Sequence, residues 1–292
     1  MTMPSKPYGA LITVTELAVH LGQPNWLLVD CRFDLADTAV GARDYRAGHI
    51  PGAVYAHLDR DLSDHTRRGM GRHPFLSDAA FSELLSRWGF TASTQVICYD
   101  GANGMHAARL WWMLRAVGHD AVAVLDGGFS AWLAAAGAVQ NEVPDRIPTQ
   151  VQVHFDARCF VDFEDVAHVQ SSTALTLIDA RAAPRYRGEV EPIDPVAGHV
   201  PGALNRPFSD NLEADSRFKS AAQLRQEFAS LLHGRSANTV AHMCGSGVTA
   251  CHNLLAMHHA GLPGARLFAP SWSGWISDPA RPIARGPDVG AA

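Results

Sequence analysis

Short continuous apolar runs alternate along the chain with longer stretches of helical periodicity. Trp26 to Cys31 and Leu175 to Ala180 are runs of this kind, each carrying an Asp at or near its end. Runs this short and this continuous read as parallel strands buried on both faces. Gln95 to Tyr99 and Thr239 to Met243 read the same way. Each of these two leads through a Gly-bearing turn into a helical stretch, Met105 to Val117 and Val248 to His259. Ala121 to Leu125 and the shorter Arg266 to Phe268 add further strands. Strands alternating with helices predict an α/β fold, with mainly parallel sheets and helices on both faces. Ligands in such folds bind beyond the carboxyl ends of strands, where loops enter helices.

The pattern occurs twice. Leu28-Val29-Asp30 returns as Leu177-Ile178-Asp179, and the stretch from Ala47 to Ala53 returns as Ala197 to Ala203 with Ile50 replaced by Val200. Val96 to Gly101 lines up with Val240 to Gly245, and Phe129 to Trp132 with Trp272 to Trp275. Landmarks in one order at a nearly constant offset mark a duplicated domain, not a solenoid of short repeats. The polar stretch from Gln140 to Gln152, broken by Pro144 and Pro148, separates the copies. The expected domains are therefore 1–145 and 151–292.

Composition narrows the function classes. The chain has 292 residues, 47% hydrophobic and 18% charged, enough for two globular cores without staples. Its net charge is −5 and no Lys/Arg run exceeds two, so no basic stripe is available for nucleic acid. Cys31, Cys98, Cys159, Cys244 and Cys251 form no C-x-x-C pair. This points to a reducing compartment and not to a disulfide scaffold. Met1 to Leu11 lacks the cationic start and apolar stretch of a secretory signal, and no apolar run is long enough to span a membrane. A cytoplasmic protein is expected.

Candidate chemistry lies in Cys244-Gly245-Ser246-Gly247-Val248-Thr249, between a strand and a helix. Small residues let the backbone curl and turn successive N–H groups inward, and the helix start adds unsatisfied donors and a positive dipole end. A thiolate there is stabilised, which favours nucleophilic over structural use of the cysteine. Ser246 and Thr249 can add hydroxyl donors. The first copy carries Asp100 where the second carries Cys244, so the same turn exists there without a nucleophile and reads as a capping or solvated carboxylate.

The Cys244 to Thr249 loop, the paired Gly-His-Ile/Val-Pro-Gly-Ala segments and Asp126 to Trp132 resemble the two-domain sulfurtransferases built from tandem rhodanese-like domains. Within that group the loop is similar to the 3-mercaptopyruvate enzymes; thiosulfate-using members typically carry cationic residues right after the cysteine. The resemblance implies an inactive first domain and a catalytic second one. Cys244 would take sulfane sulfur from the donor as a persulfide and pass it to a thiol or cyanide. The Gly245, Gly247, Val248 and Thr249 backbone would cradle the sulfur. Arg185 matches the arginine that binds the donor's anionic end, a task that suits a planar fork of donors. His73 matches a first-domain histidine that reaches the second domain's site. Asp61, in Asp59-Arg60-Asp61, is its candidate acidic partner, and with Ser246 they would manage protons for the leaving enolate. No cofactor or metal is implied. A small-molecule donor, a thiol or cyanide acceptor and a thioredoxin-like reductant are the expected partners.

Two positions depart from the family pattern. The second arginine usual in mercaptopyruvate enzymes, nine residues after the first, is replaced within Glu191-Pro192-Ile193-Asp194, leaving Arg187 as a candidate substitute. Ala269-Pro270 stands where Asp-Gly is usual, a change expected to alter shape more than chemistry. Other readings fare worse. His242, Cys244, Cys251 and His252 complete no zinc spacing. A cysteine phosphatase would need an arginine where Ala250 stands. Asp100 to Gly104 is not a dinucleotide fingerprint. Trp111-Trp112 reads as core, and Cys251 as a free core thiol rather than a disulfide partner of Cys244. Two alternatives stay open: a thiosulfate sulfurtransferase using the same cysteine, and a non-catalytic sulfur-carrier or interaction module.

Overall fold

The structure is a computed structural model and describes residues 7–171 and 174–287. Most of the N-terminal stretch inspected for a signal, residues 1–6, lies outside it. The chain divides into two compact units. One is built from Met1–Leu62, Leu76–Phe155 and Asp215–Arg217; the other takes Ser63–Phe75, Asp156–Ala214 and Phe218–Ala292. The segment Ser63–Phe75, which carries His73, thus belongs to the second unit although it precedes most of the first in sequence.

The first unit holds a sheet of β1 (Leu11–Ile12), β2 (Trp26–Asp30), β3 (Val54–Tyr55), β4 (Gln95–Tyr99) and β5 (Val122–Leu125), in the order β1-β5-β4-β2-β3 with every pairing parallel. The second holds β6 (Thr176–Asp179), β7 (Leu204–Asn205), β8 (Val240–Met243) and β9 (Arg266–Leu267), again all parallel, in the order β7-β6-β8-β9. The orders coincide except for β1. At the corresponding edge of the second sheet Phe160 makes a single parallel bridge to Leu267. Helices Ala107–Ala116 and Thr249–His259 follow β4 and β8, one to two residues shorter than their apolar patterns at the ends that fray.

The repeated motifs fasten the loops at the strand ends. Arg32 chelates Asp30 at the end of β2 and donates to Gly48 O at 2.7 Å; Arg181 does the same with Asp179 and Gly198 O at 2.7 Å. His49 stacks on Tyr45 with ring centroids 4.0 Å apart, and His199 on Tyr186 at 3.8 Å. Each tyrosine hydroxyl donates to the closing alanine of its motif, Ala53 O or Ala203 O. Gly-His-Ile/Val-Pro-Gly-Ala is therefore a structural clasp in both units. Trp111 is buried in the first unit and donates to Gly9 O and Val122 O, as a core residue does.

Candidate active site

β8 delivers Cys244 into a loop that closes onto the helix Thr249–His259. The sulfur is nearly buried, and the Gly247 N–H donates to Sγ at 3.1 Å. Gly247 has φ +79°, a conformation that a side chain would strain, and its amide points at the sulfur because the loop turns there. Val248 stands at the helix start and Thr249 is the first helical residue, so the dipole's positive end faces the same loop. The loop is pinned from the other side: Trp272 N donates to Cys244 O and Ser273 N to Gly245 O, both at 2.9 Å.

Ser271 is a site residue the sequence reading passed over. Its hydroxyl accepts from Cys244 N at 3.1 Å and donates to Phe268 O at 3.0 Å. It holds φ +53° where the first copy places Gly128 at +56°. Ser271, directly after the Ala269-Pro270 departure, thus brings a side chain that fixes the nucleophile's own amide.

The first unit shows what this turn does with an anion. Asp100, at the place of Cys244, is buried, and its carboxylate accepts from four backbone N–H groups, those of Ala102, Gly104, His106 and Ala107, at 2.9–3.2 Å. Phe129 N and Ser130 N clamp Asp100 O and Gly101 O as Trp272 N and Ser273 N do in the second unit. This carboxylate caps its loop from inside the protein.

Two residues from Ser63–Phe75 lie beside the cysteine loop. His73 Nδ1 and Ser246 Oγ are 2.8 Å apart, both nearly buried. Arg72, unnoticed in the sequence, forms an ion pair with Asp194 at 2.6 Å, and its backbone N–H donates to Ser273 Oγ at 2.9 Å. Arg185 chelates Glu191 through Nε and Nη2, with Nη2 also 3.2 Å from Asp194. Burial alone would raise the Glu191 carboxyl. The Arg185 guanidinium, with the N–H groups of Asp194 and Ile193, outweighs it and holds that group below its ordinary value. A Cβ at Gly245 would stand 3.2 Å from Arg72 Nη2 and 3.5 Å from Arg185 Nη2. Both guanidinium groups therefore border the residue next to the nucleophile, and the missing side chain there leaves that approach open.

The remaining sequence candidates have partners of their own. Asp61 belongs to the first unit, where its carboxylate accepts from His57 N at 2.8 Å and lies 3.6 Å from Arg87. Arg187 pairs with Glu189 at 2.7 Å on the surface, and Arg72 is the second guanidinium beside Gly245 instead. Cys251 donates to Gly247 O at 3.3 Å and is in no disulfide among the described residues. His242 and His252 are core residues, the one against Met257 Sδ and the other stacked on Phe218. Among the described residues no group of three or more His, Cys, Asp or Glu is placed to hold a metal ion, and no helix is long and apolar enough to cross a membrane.

Comparison with known proteins places these features in a wider set. The family model described as rhodanese-like domain matches residues 13–135 and again residues 162–278. A Pseudomonas aeruginosa protein described as a probable 3-mercaptopyruvate sulfurtransferase is 49% identical over 278 residues, covering 94% of this chain and 98% of its own length. The thiosulfate sulfurtransferase of Cricetulus griseus is 32% identical over 278 residues, covering 92% of each chain. Among solved structures, SseA from Escherichia coli, described with the 3-mercaptopyruvate sulfotransferases, superimposes with a TM-score of 0.79 at 30% identity, covering 91% of this chain and all of its own.

Proposed function

This chain belongs to the rhodanese-like domain family, as a tandem-domain sulfurtransferase, and from that premise we propose that it moves sulfur from 3-mercaptopyruvate to a thiol or cyanide through a persulfide on Cys244. The observation that carries this reading is the Gly247 N–H aimed at Cys244 Sγ at a strand-to-helix turn whose duplicate holds a carboxylate on four N–H groups. A loop of that construction stabilises negative charge on sulfur, both in the resting thiolate and in the persulfide.

In the first half-reaction the Cys244 thiolate attacks the donor's sulfur. The donor's C–S bond breaks, its electron pair passes to the pyruvate enolate, and the enolate takes up a proton. Ser246, hydrogen-bonded to His73, is the group we assign to that proton delivery. Arg185 holds the donor carboxylate. In the second half-reaction an acceptor thiolate attacks the outer sulfur, the S–S bond breaks, and Cys244 leaves as thiolate. No net oxidation occurs in the cycle, so no cofactor is required. The second unit, with Ser63–Phe75, carries this chemistry, and the first has Asp100 in place of a nucleophile. A thioredoxin-like protein is a suitable thiol acceptor, and a reducing cytoplasm suits a mechanism that runs through a free thiolate.

Cys244→Ser is expected to abolish sulfur transfer from either 3-mercaptopyruvate or thiosulfate, and to remove the sulfur adduct that mass spectrometry finds on the Cys244 peptide. Retained turnover would overturn the mechanism. Comparing kcat/KM for the two donors in the unaltered protein decides the donor; a thiosulfate preference would make this a thiosulfate sulfurtransferase using the same thiolate. A persulfide that forms only with a partner protein present would make it a sulfur carrier.

A further inference from the structure

We propose that Ser271 is a positioning residue for the nucleophile: by holding the backbone N–H of Cys244 it keeps the sulfur under the Gly247 N–H and so sustains its reactivity. The inference rests on the sulfur-transfer reading for what that reactivity is used for, but the contact itself lies within the second unit.

Three consecutive residues grip the start of the cysteine loop. Ser271 Oγ accepts from Cys244 N at 3.1 Å, Trp272 N donates to Cys244 O and Ser273 N to Gly245 O, both at 2.9 Å. The Cys244 backbone is thereby held at both its donor and its acceptor. Ser271 is fully buried, and its one hydroxyl proton goes to Phe268 O at 3.0 Å. A hydroxyl has no second proton to offer the sulfur, so Ser271 acts through the amide and not by stabilising charge directly.

The first unit shows the same grip without this contact. Phe129 N and Ser130 N hold its loop, but Gly128 stands at the place of Ser271 and has no side-chain acceptor. Gly128 has φ +56° and Ser271 keeps φ +53°, in the region where a side chain is strained. A Cβ at Gly128 would stand 2.6 Å from Asp100 O and 2.8 Å from Ala102 N. The second loop therefore makes room for a side chain, and bears its backbone strain, at the position that touches the nucleophile's amide. The two anions account for the difference. A carboxylate spreads two oxygens over four N–H groups, whereas sulfur is one atom and meets the Gly247 N–H only where its backbone puts it. A hydrogen bond to a charged atom is strong, and it weakens steeply as its angle closes.

The test alkylates the whole chain with iodoacetamide from acid to alkaline pH and follows the Cys244 peptide by mass spectrometry. On the rising limb of the rate profile, Ser271→Gly should react about tenfold more slowly, the scale of one lost hydrogen bond to a charged group. On the alkaline plateau, where both sulfurs are thiolate, the two proteins should react alike. Ser271→Ala, which keeps the strain but not the oxygen, should show the same slow limb. Glycine takes φ +53° freely, so Ser271→Gly should hold its urea unfolding midpoint. A merely structural serine predicts the reverse, a lowered midpoint with an unchanged limb. An unchanged limb in Ser271→Gly, or equal losses on limb and plateau, would overturn the proposal. In turnover with 3-mercaptopyruvate the same variant should lose about tenfold in kcat with KM kept within about twofold, and a rise in KM alone would also overturn it. A slow limb in a protein that transfers sulfur from neither donor would leave the positioning role standing and overturn the sulfur-transfer reading.

Discussion

Ser246 and His73 lie 173 positions apart in sequence and 2.8 Å apart in space, which ties one hydroxyl to one imidazole beside the nucleophile. The proton delivery proposed for them would distinguish donors. The pyruvate enolate must gain a proton as it leaves, while sulfite departs from thiosulfate as a stable anion. Ser246→Ala and His73→Gln should each lower kcat with 3-mercaptopyruvate by about 10²–10³ and change thiosulfate turnover by less than about tenfold. Steady-state rates with the two donors check this, and equal losses on both would remove the proton-delivery role. At this scale the Gly-rich loop marks Cys244 and Ser246 locally as candidates, whereas Arg185 becomes a candidate only through the family resemblance. Arg72 and Ser271 carry no such mark. An arginine in a Gly-rich segment resembles a solvated side chain until folding sets it against Asp194, and a serine after a proline reads as a turn. Asp61 accepts from His57 N within the first unit, a backbone partner that its sequence does not announce.

β8 shows how an element constrains chemistry at its end. His242 points into the core two residues before Cys244, fully buried, with Nε2 at 3.0 Å from Met257 Sδ and Nδ1 without a partner among the described residues. Burial pushes its ionisation down to about 3. In the unfolded chain the same ring protonates near its ordinary value of about 6.5. Between those values the unfolded state binds the extra proton, so stability is whole above about pH 6.5 and falls as the medium is acidified toward pH 3, at up to about 1.4 kcal/mol per pH unit. His242→Leu should therefore flatten the acid limb of the stability profile. Urea unfolding at pH 7 and pH 4.5 measures it, and an unchanged difference between the two would refute the assignment. Elements of this kind were legible because continuous apolar runs such as Gln95–Tyr99 are long enough to carry a period. The two-residue strands Leu11–Ile12, Val54–Tyr55 and Leu204–Asn205 were not, since no pattern exists in two residues and their place is set by pairing with β5, β2 and β6.

For the whole molecule the duplication was plain in the sequence, but the allotment of segments was not. Ser63–Phe75 lies inside the first copy by order and folds with the second, bringing His73 and Arg72 to Ser246 and Asp194. A chain cut to residues 151–292 lacks both. Its sulfur transfer from 3-mercaptopyruvate should fall by at least about 10²-fold, the scale of losing a positioned acid or base. Assay of that fragment beside the intact chain tests this, and full activity would make Ser63–Phe75 dispensable.

The loop around Asp100 has a thermodynamic consequence for the loop around Cys244. The first unit carries its anion covalently, so that turn is neutralised under every condition in which the carboxylate is ionised. The second turn depends on what its sulfur carries. Negative charge on Cys244 acts on that unit as a bound ligand acts on a receptor, favouring the folded form while it is present. On the proposed mechanism, a persulfide, more acidic than a thiol, would hold that charge in place and act as a reversible stabiliser of the second unit. In scanning calorimetry the persulfide form should raise one unfolding transition and leave the other where it was.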